Sequence, residues 1–150
     1  MKITHNVLTD LEIKNVQSIL MQDRWGSGYI STDPTKPIWN FDKEVGKPVA
    51  ELLASKLSGY SLSDWHINGQ TFLLDGSPHK DSYVECDTAA VYFPFNWDKS
   101  WGGALHIEED LFFPQKNSLV IFDANIMHYA EAPIVPVLRI FVGLKLKTIK

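Results

Sequence analysis

The chain has a single cysteine, Cys86, among its 150 residues. No internal disulfide can form, so a disulfide-stapled extracellular scaffold is excluded. Long hydrophobic runs are missing too, and none approaches the ~20 apolar residues that a membrane-spanning helix requires. The stretch Met1–Asp10 has no apolar segment of the kind a secretory leader needs. There is no excess of positive charge: 14 Lys and Arg stand against 18 Asp and Glu, a formal net charge of −4. That is the opposite of the basic footprint expected of a nucleic-acid surface. No block repeats and no tract is low in complexity. These absences predict a soluble, cytoplasmic protein with no membrane contact. What is present agrees. An apolar fraction of 45% with 21% charged residues is ordinary for a globular chain rather than a disordered one. The length suits one domain, residues 1–150, with a core large enough to need no metal for folding.

The N-terminal third reads as partly helical. Thr9-Asp10-Leu11-Glu12 is a capping box. Leu11, Ile13, Val16, Ile19 and Leu20 follow at helical spacing to about Gln22. A second helix is predicted over Val49–Leu57, ending near Gly59. Between them, Trp25–Pro34 reads as a loop that could close over a site, because it is rich in Gly, Ser and Pro. From Tyr60 onward short strands alternate with turns. The candidates are Ser63–Ile67, Thr71–Leu74, Thr88–Phe93, Gly103–Glu108, Ser118–Phe122 and Val137–Leu146. Many short strands at this spacing predict a sandwich or barrel with helices packed on it.

Chemistry concentrates at a few positions. There are five histidines, and one of them, His79, has Asp81 two residues later. In extended chain, alternate residues face one side, so this imidazole and carboxylate can meet one ion. His128 follows the Ser118–Phe122 strand, far enough on for intervening strands to bring it back. Two imidazoles and one carboxylate on one face of a metal suit a ferrous ion. The set leaves the site net positive, with two positions for a 2-oxo acid and one for dioxygen. Arg139 lies in Val137–Leu146, an otherwise apolar strand, and burial there demands an anionic partner. Its guanidinium can grip a carboxylate with two parallel hydrogen bonds; a buried Asp or Glu is the alternative partner.

The pattern His79-x-Asp81, His128, Arg139 resembles that of the 2-oxoglutarate/Fe(II)-dependent oxygenase superfamily. Ala90–Trp97, Trp101–Ile107, Phe113-Pro114 and Val120–Phe122 resemble its prolyl 4-hydroxylase-like branch. The resemblance covers Asn68 to Leu146. It implies an α+β, mainly β fold: a double-stranded β-helix (jelly roll) core with N-terminal helices packed on it. It implies His79, Asp81 and His128 as ligands of Fe(II), and Arg139 as the residue holding 2-oxoglutarate. Tyr92 stands where a tyrosine hydroxyl supports the co-substrate's distal carboxylate. The implied reaction consumes O2, converts 2-oxoglutarate to succinate and CO2, and hydroxylates a C–H bond; a role for ascorbate is left open. The implied substrate is an amino-acid side chain, prolyl included, in a peptide, a protein or a free small molecule.

Two departures weigh against a prolyl peptide. Lys145 stands six residues after Arg139, where that branch carries an aromatic residue. Glu85 precedes the Tyr92 strand, where the branch often has arginine. A nucleobase-dealkylating oxygenase is an alternative, but its R-x5-R pattern is broken by Lys145 and the chain is acidic. A non-catalytic jelly-roll binding module is the other alternative, and the intact ligand set argues against it. The H-x-H pair of cupins is absent. His5, His66 and His106 read as structural or exposed, Trp97 and Trp101 as packing over a strand end, and Glu108–Asp110 as a solvated turn. Cys86 lacks a basic neighbour and is no nucleophile. Gln70 is a weak candidate for the pocket wall. Substrate identity and oligomeric state are not legible in the sequence.

Overall fold

The computed structural model describes residues 1–30, 33–84 and 87–149. The expectations for Glu85 and Cys86 therefore lie outside the described residues. Helix α1 (Asp10–Leu20) begins where the capping box predicts. The Thr9 backbone N–H donates to Glu12 Oε1 at 2.9 Å, and the Glu12 N–H donates to Thr9 Oγ1 at 3.2 Å. Its buried stripe is Ile13, Val16 and Leu20. Helix α2 (Lys43–Ser55) starts earlier than the predicted Val49. The Asp42 carboxylate caps it by accepting from the Glu44 and Val45 N–H groups. Pro48 sits inside α2, which hid this first turn and a half from a pattern-based reading.

The described residues also form ten strands in two antiparallel sheets. They are β1 (Lys2–His5), β2 (Trp25–Ile30), β3 (Asp33–Phe41), β4 (Tyr60–Gln70), β5 (Asp87–Phe93), β6 (Leu105–Ile107), β7 (Asp110–Phe112), β8 (Ser118–Asp123), β9 (His128–Ala130) and β10 (Arg139–Thr148). The large sheet runs β1-β8-β5-β10-β4-β3-β2, and the small one β7-β6-β9. This is the expected jelly roll. Both helices cover one face of the large sheet, where Val16, Leu20, Val49 and Leu53 meet Ala90, Tyr92, Leu119, Val142 and Leu144. The other face packs on the small sheet through Val91, Phe93, Leu105, Ile107, Val120 and Phe122. Strand β5 is buried along its whole length because both of its faces are covered.

Two expectations fail. Within the predicted loop Trp25–Pro34, Trp25–Ile30 is instead strand β2 and Asp33 and Pro34 open β3, with Trp25 opposite Phe41 and Gly28 opposite Ile38; Ser31 and Thr32 lie outside the described residues. Strand β2 is the sheet edge, and β3 pairs with β4 only at Trp39 and Asn40. Gly and Pro are tolerated there because few of the backbone N–H groups are called on by a second neighbour. The predicted strand Thr71–Leu74 is a turn: the Leu74 N–H donates to Thr71 O at 3.2 Å and Leu73 has φ +62°.

Candidate functional site

His79, Asp81 and His128 come together although strands β5 to β8 separate them in sequence. The chain at His79 pairs with β9 as a single antiparallel bridge, and His79 and His128 exchange backbone hydrogen bonds of 2.9 Å in both directions. The Asp81 N–H donates to Ala124 O at 2.9 Å, which fixes the third side chain. Nε2 of His79 stands 3.3 Å from Asp81 Oδ1, and Nε2 of His128 stands 3.4 Å from Asp81 Oδ2. One donor atom from each residue lies within 4.8 Å of the others. The two rings are held by the same local device. Nδ1 of His79 contacts Ser77 O at 2.7 Å, and Nδ1 of His128 contacts Ile126 O at 2.9 Å. A carbonyl at Nδ1 sets the tautomer that leaves Nε2 free to ligate.

The electrostatics suit a cation site. Partial burial acts to raise the Asp81 carboxyl, but hydrogen bonding to His128 and His79 outweighs it and holds the group well below the usual carboxylate range. Its hydrogen bond raises His79 in turn, against partial burial. His128 is buried and packs edge-on against Phe122 at 4.8 Å.

Arg139 opens β10 on the same face and is 1% exposed. Its Nε donates to Gly103 O at 2.7 Å, and Nη1 donates to Gln70 Oε1 at 3.0 Å. Among the described residues, buried Nη2 has no partner. The guanidinium lies 5.0 Å from the Phe93 ring and 5.1 Å from Phe141. Burial pushes its pKa down to about 9. Among the described residues no carboxylate forms an ion pair with it, although Glu131 is near enough to oppose the lowering. Gly103, at φ +76°, makes room: a Cβ there would fall 2.8 Å from Trp97 and 3.2 Å from Arg139.

The triad and Arg139 line one cavity of about 410 Å³, walled also by His66, Asn68, Gln70 and Phe141, with Tyr29 and Ile30 of the hairpin. Gln70 thus has a larger place than its sequence context suggested. Its Oε1 supports Arg139 while its Nε2 donates to Ala130 O at 3.1 Å. Tyr92 is a correction. It faces the helices, on the opposite side of the sheet from Arg139, and its hydroxyl donates to Asn117 Oδ1 at 2.9 Å. The expectation failed because β5 is buried on both faces, and alternation alone does not say which face holds the cavity. His66 is exposed, as expected, and its ring also stands at the cavity wall. His5 contacts Ser118 Oγ at 2.8 Å. His106 stacks on Tyr129 with centroids 4.2 Å apart, outside the cavity. Trp97 packs on Trp101 and donates to Gly102 O at 2.9 Å, as its packing reading expected.

Comparison with family models and with curated protein sequences gives no match. Solved structures match along nearly the whole chain. A prolyl hydroxylase from Trichoplax adhaerens, in complex with a hypoxia inducible factor peptide fragment, is 15% identical with a TM-score of 0.67, over 98% of this chain and 83% of its own. HygX from Streptomyces hygroscopicus, with nickel, 2-oxoglutarate and hygromycin B bound, is 10% identical with a TM-score of 0.71, over 97% and 82%. A Pseudomonas putida prolyl-4-hydroxylase is 16% identical with a TM-score of 0.67, over 97% and 91%. At these identities the likeness establishes a shared fold. The chemistry must be argued from the site.

Proposed function

We propose that this chain is an Fe(II)- and 2-oxoglutarate-dependent oxygenase that hydroxylates an amino-acid side chain, in a peptide, a protein or a free molecule. One observation carries the reading: the buried, unpartnered Nη2 of Arg139 lies on the same cavity as a two-histidine, one-carboxylate cluster. A buried cation with a free donor is costly unless an anion arrives to meet it. Three ligands on one side of a metal are the set that non-haem ferrous oxygenases use. On this reading His79, Asp81 and His128 hold the iron and Arg139 holds the far carboxylate of 2-oxoglutarate. When bound, the pair supplies oxidative decarboxylation of the 2-oxo acid coupled to oxygen transfer onto a substrate C–H bond.

The protein's own share is positional. Ser77 O and Ile126 O keep the two Nε2 atoms directed at a common point. Gln70 and Gly103 O fix the plane of the guanidinium, so Nη2 is aimed before any ligand arrives. Phe93 and Phe141 flank it and keep water from competing for it. Lys145, where the nucleobase-dealkylating pattern has arginine, turns instead to Asp87, with Nζ 3.8 Å from Oδ2. That contact and the acidic net charge favour the amino-acid reading. The structures that share the fold include complexes with a peptide and with a small molecule, and both substrate forms fit this proposal.

The test is anaerobic addition of Fe(II) and 2-oxoglutarate to the apo-protein while the visible metal-to-ligand charge-transfer band is followed, with Arg139→Ala as control. A band in the wild type that weakens in the variant supports the assignment. A folded protein that binds metal yet gives no band overturns it.

A further inference from the structure

We infer that His66, with Asn68 and Asn40 beside it, forms the substrate-positioning wall of the cavity and is built to bind an amide group; this rests on the proposed oxygenase function and names what that site reads. His66 and Asn68 lie two residues apart on β4, so both face the cavity, and Asn40 of β3 is directly opposite Asn68 in register. This wall belongs to the large sheet, while His128 belongs to the small one. A substrate lying between the sheets therefore touches the wall with one part and reaches the triad with another.

Two glycines shape the wall. The strand partner of His66 is Gly143, in the middle of β10 between Val142 and Leu144. A Cβ at 143 would overlap the His66 imidazole. Glycine in a strand interior sacrifices packing and usually marks a place where another group must come close. Here it lets the imidazole lie across the sheet, edge-on to Phe141 with centroids 6.0 Å apart. Gly28 does the same for Asn40, whose Nδ2 occupies the space a Cβ would take. The fold has given up side chains at two strand positions, and in both places a polar group lies in the space.

The hydrogen-bond arrangement selects the ligand. Asn68 Nδ2 donates to Asn40 Oδ1 at 2.6 Å and to Trp39 O at 3.3 Å. Those two acceptors fix the orientation of both amides. Among the described residues Asn68 Oδ1 and Asn40 Nδ2 have no other partner, and no hydrogen bond ties down the His66 ring. One acceptor beside one donor complements an amide, which offers N–H and C=O together. A carboxylate offers only acceptors and would face Asn68 Oδ1 unfavourably. An ammonium offers only donors and would face Asn40 Nδ2.

The experiment measures succinate release by the full chain with Fe(II), 2-oxoglutarate and a panel of N-acetyl amino-acid N-methylamides, beside the corresponding free amino acids. At least one capped amide is expected to stimulate succinate formation, and its free amino acid to do so poorly. For that substrate, KM is expected to rise about tenfold in His66→Leu, the loss of one well-placed hydrogen bond, with kcat little changed. His66→Gln restores most of the lost affinity by returning a donor and an acceptor. Gly143→Ala, which displaces the imidazole without removing it, raises KM in the same direction. The inference is overturned if no capped amide stimulates turnover, if free amino acids serve as well, or if neither variant moves KM. The charge-transfer band separates the two levels. A wild-type band with no response to amides overturns this inference alone, whereas a missing band overturns the oxygenase reading beneath it.

Discussion

His79 and His128 are joined through their backbones before their side chains meet: each donates its N–H to the other's carbonyl oxygen at 2.9 Å. The pair of imidazoles is thus positioned by sheet formation, and the Asp81 carboxylate is carried into place by its own N–H bond to Ala124 O. A site built this way exists before a metal arrives and has little to rearrange on binding.

Preformation predicts metal-linked stabilisation. At a free divalent metal concentration of about 100 times Kd, stability should rise by about 2.7 kcal/mol, visible as a shift of several degrees in Tm. Mn(II) or Ni(II) can stand in for Fe(II) in the melt. Asp81→Ala removes the only carboxylate of the set and should abolish the shift. A metal-dependent rise of equal size in Asp81→Ala would place the ion elsewhere.

Arg139 predicts an inverse relation between stability and binding. Arg139→Met keeps apolar bulk between Phe93 and Phe141 and removes a buried charge with an unpartnered Nη2. Replacing a buried charge by a packed apolar group is often neutral or stabilising. The variant without ligand should melt no lower than wild type. 2-Oxoglutarate should raise the Tm of the metal-loaded wild type and leave that of the variant unmoved. A variant that is much less stable and still binds the co-substrate would contradict the assignment.

The pH dependence of metal-free protein and of metal affinity should run in opposite directions. The folded-state pKa of His79 is raised by Asp81, so its contribution to apo stability is present below its unfolded value of about 6.5 and fades as pH climbs through the raised value. A metal must displace that proton, so affinity should increase over the same interval and then level off. The Asp81 carboxyl, held well below its ordinary value, adds nothing to this window. Melts and metal titrations over about three pH units spanning the ordinary histidine pKa, roughly pH 5.5 to 8.5, would show both trends; parallel slopes would count against the pairing.

Tyr92→Phe separates core from site. The buried hydroxyl donates to Asn117 Oδ1, which also accepts from the Leu8 N–H at 2.9 Å. Its loss should destabilise the fold by about 1 kcal/mol and leave 2-oxoglutarate affinity as it was. A specific loss of affinity would restore Tyr92 to the cavity.

Parts of this site were legible in the sequence for chemical reasons. Histidine beside aspartate at alternate spacing, a second histidine after a strand, and an arginine in an apolar strand are each unusual enough to suggest a role. Other parts left no such mark. Asn40, Asn68 and Gln70 are ordinary polar residues until β3, β4 and β10 are laid side by side. Gly28 and Gly143 look like turn residues or weak strand positions until the groups filling their missing side chains are seen. Trp25–Pro34 reads as a loop because Gly and Pro obscure the alternation, and only the place of β2 at the sheet edge explains why they are tolerated.

The sequence by itself determined the residue types that could hold a metal, the capping of α1, the strand-rich core and the unusual place of an arginine among apolar neighbours. These follow from residue chemistry and from local periodicity, which act over a few positions. The tertiary structure decided which face of β5 meets the helices, that Arg139 keeps one donor free, and that His66 shares a cavity with the triad. Those outcomes depend on register and sheet packing between segments far apart in the chain, where a shift of one residue would turn every side chain to the other face.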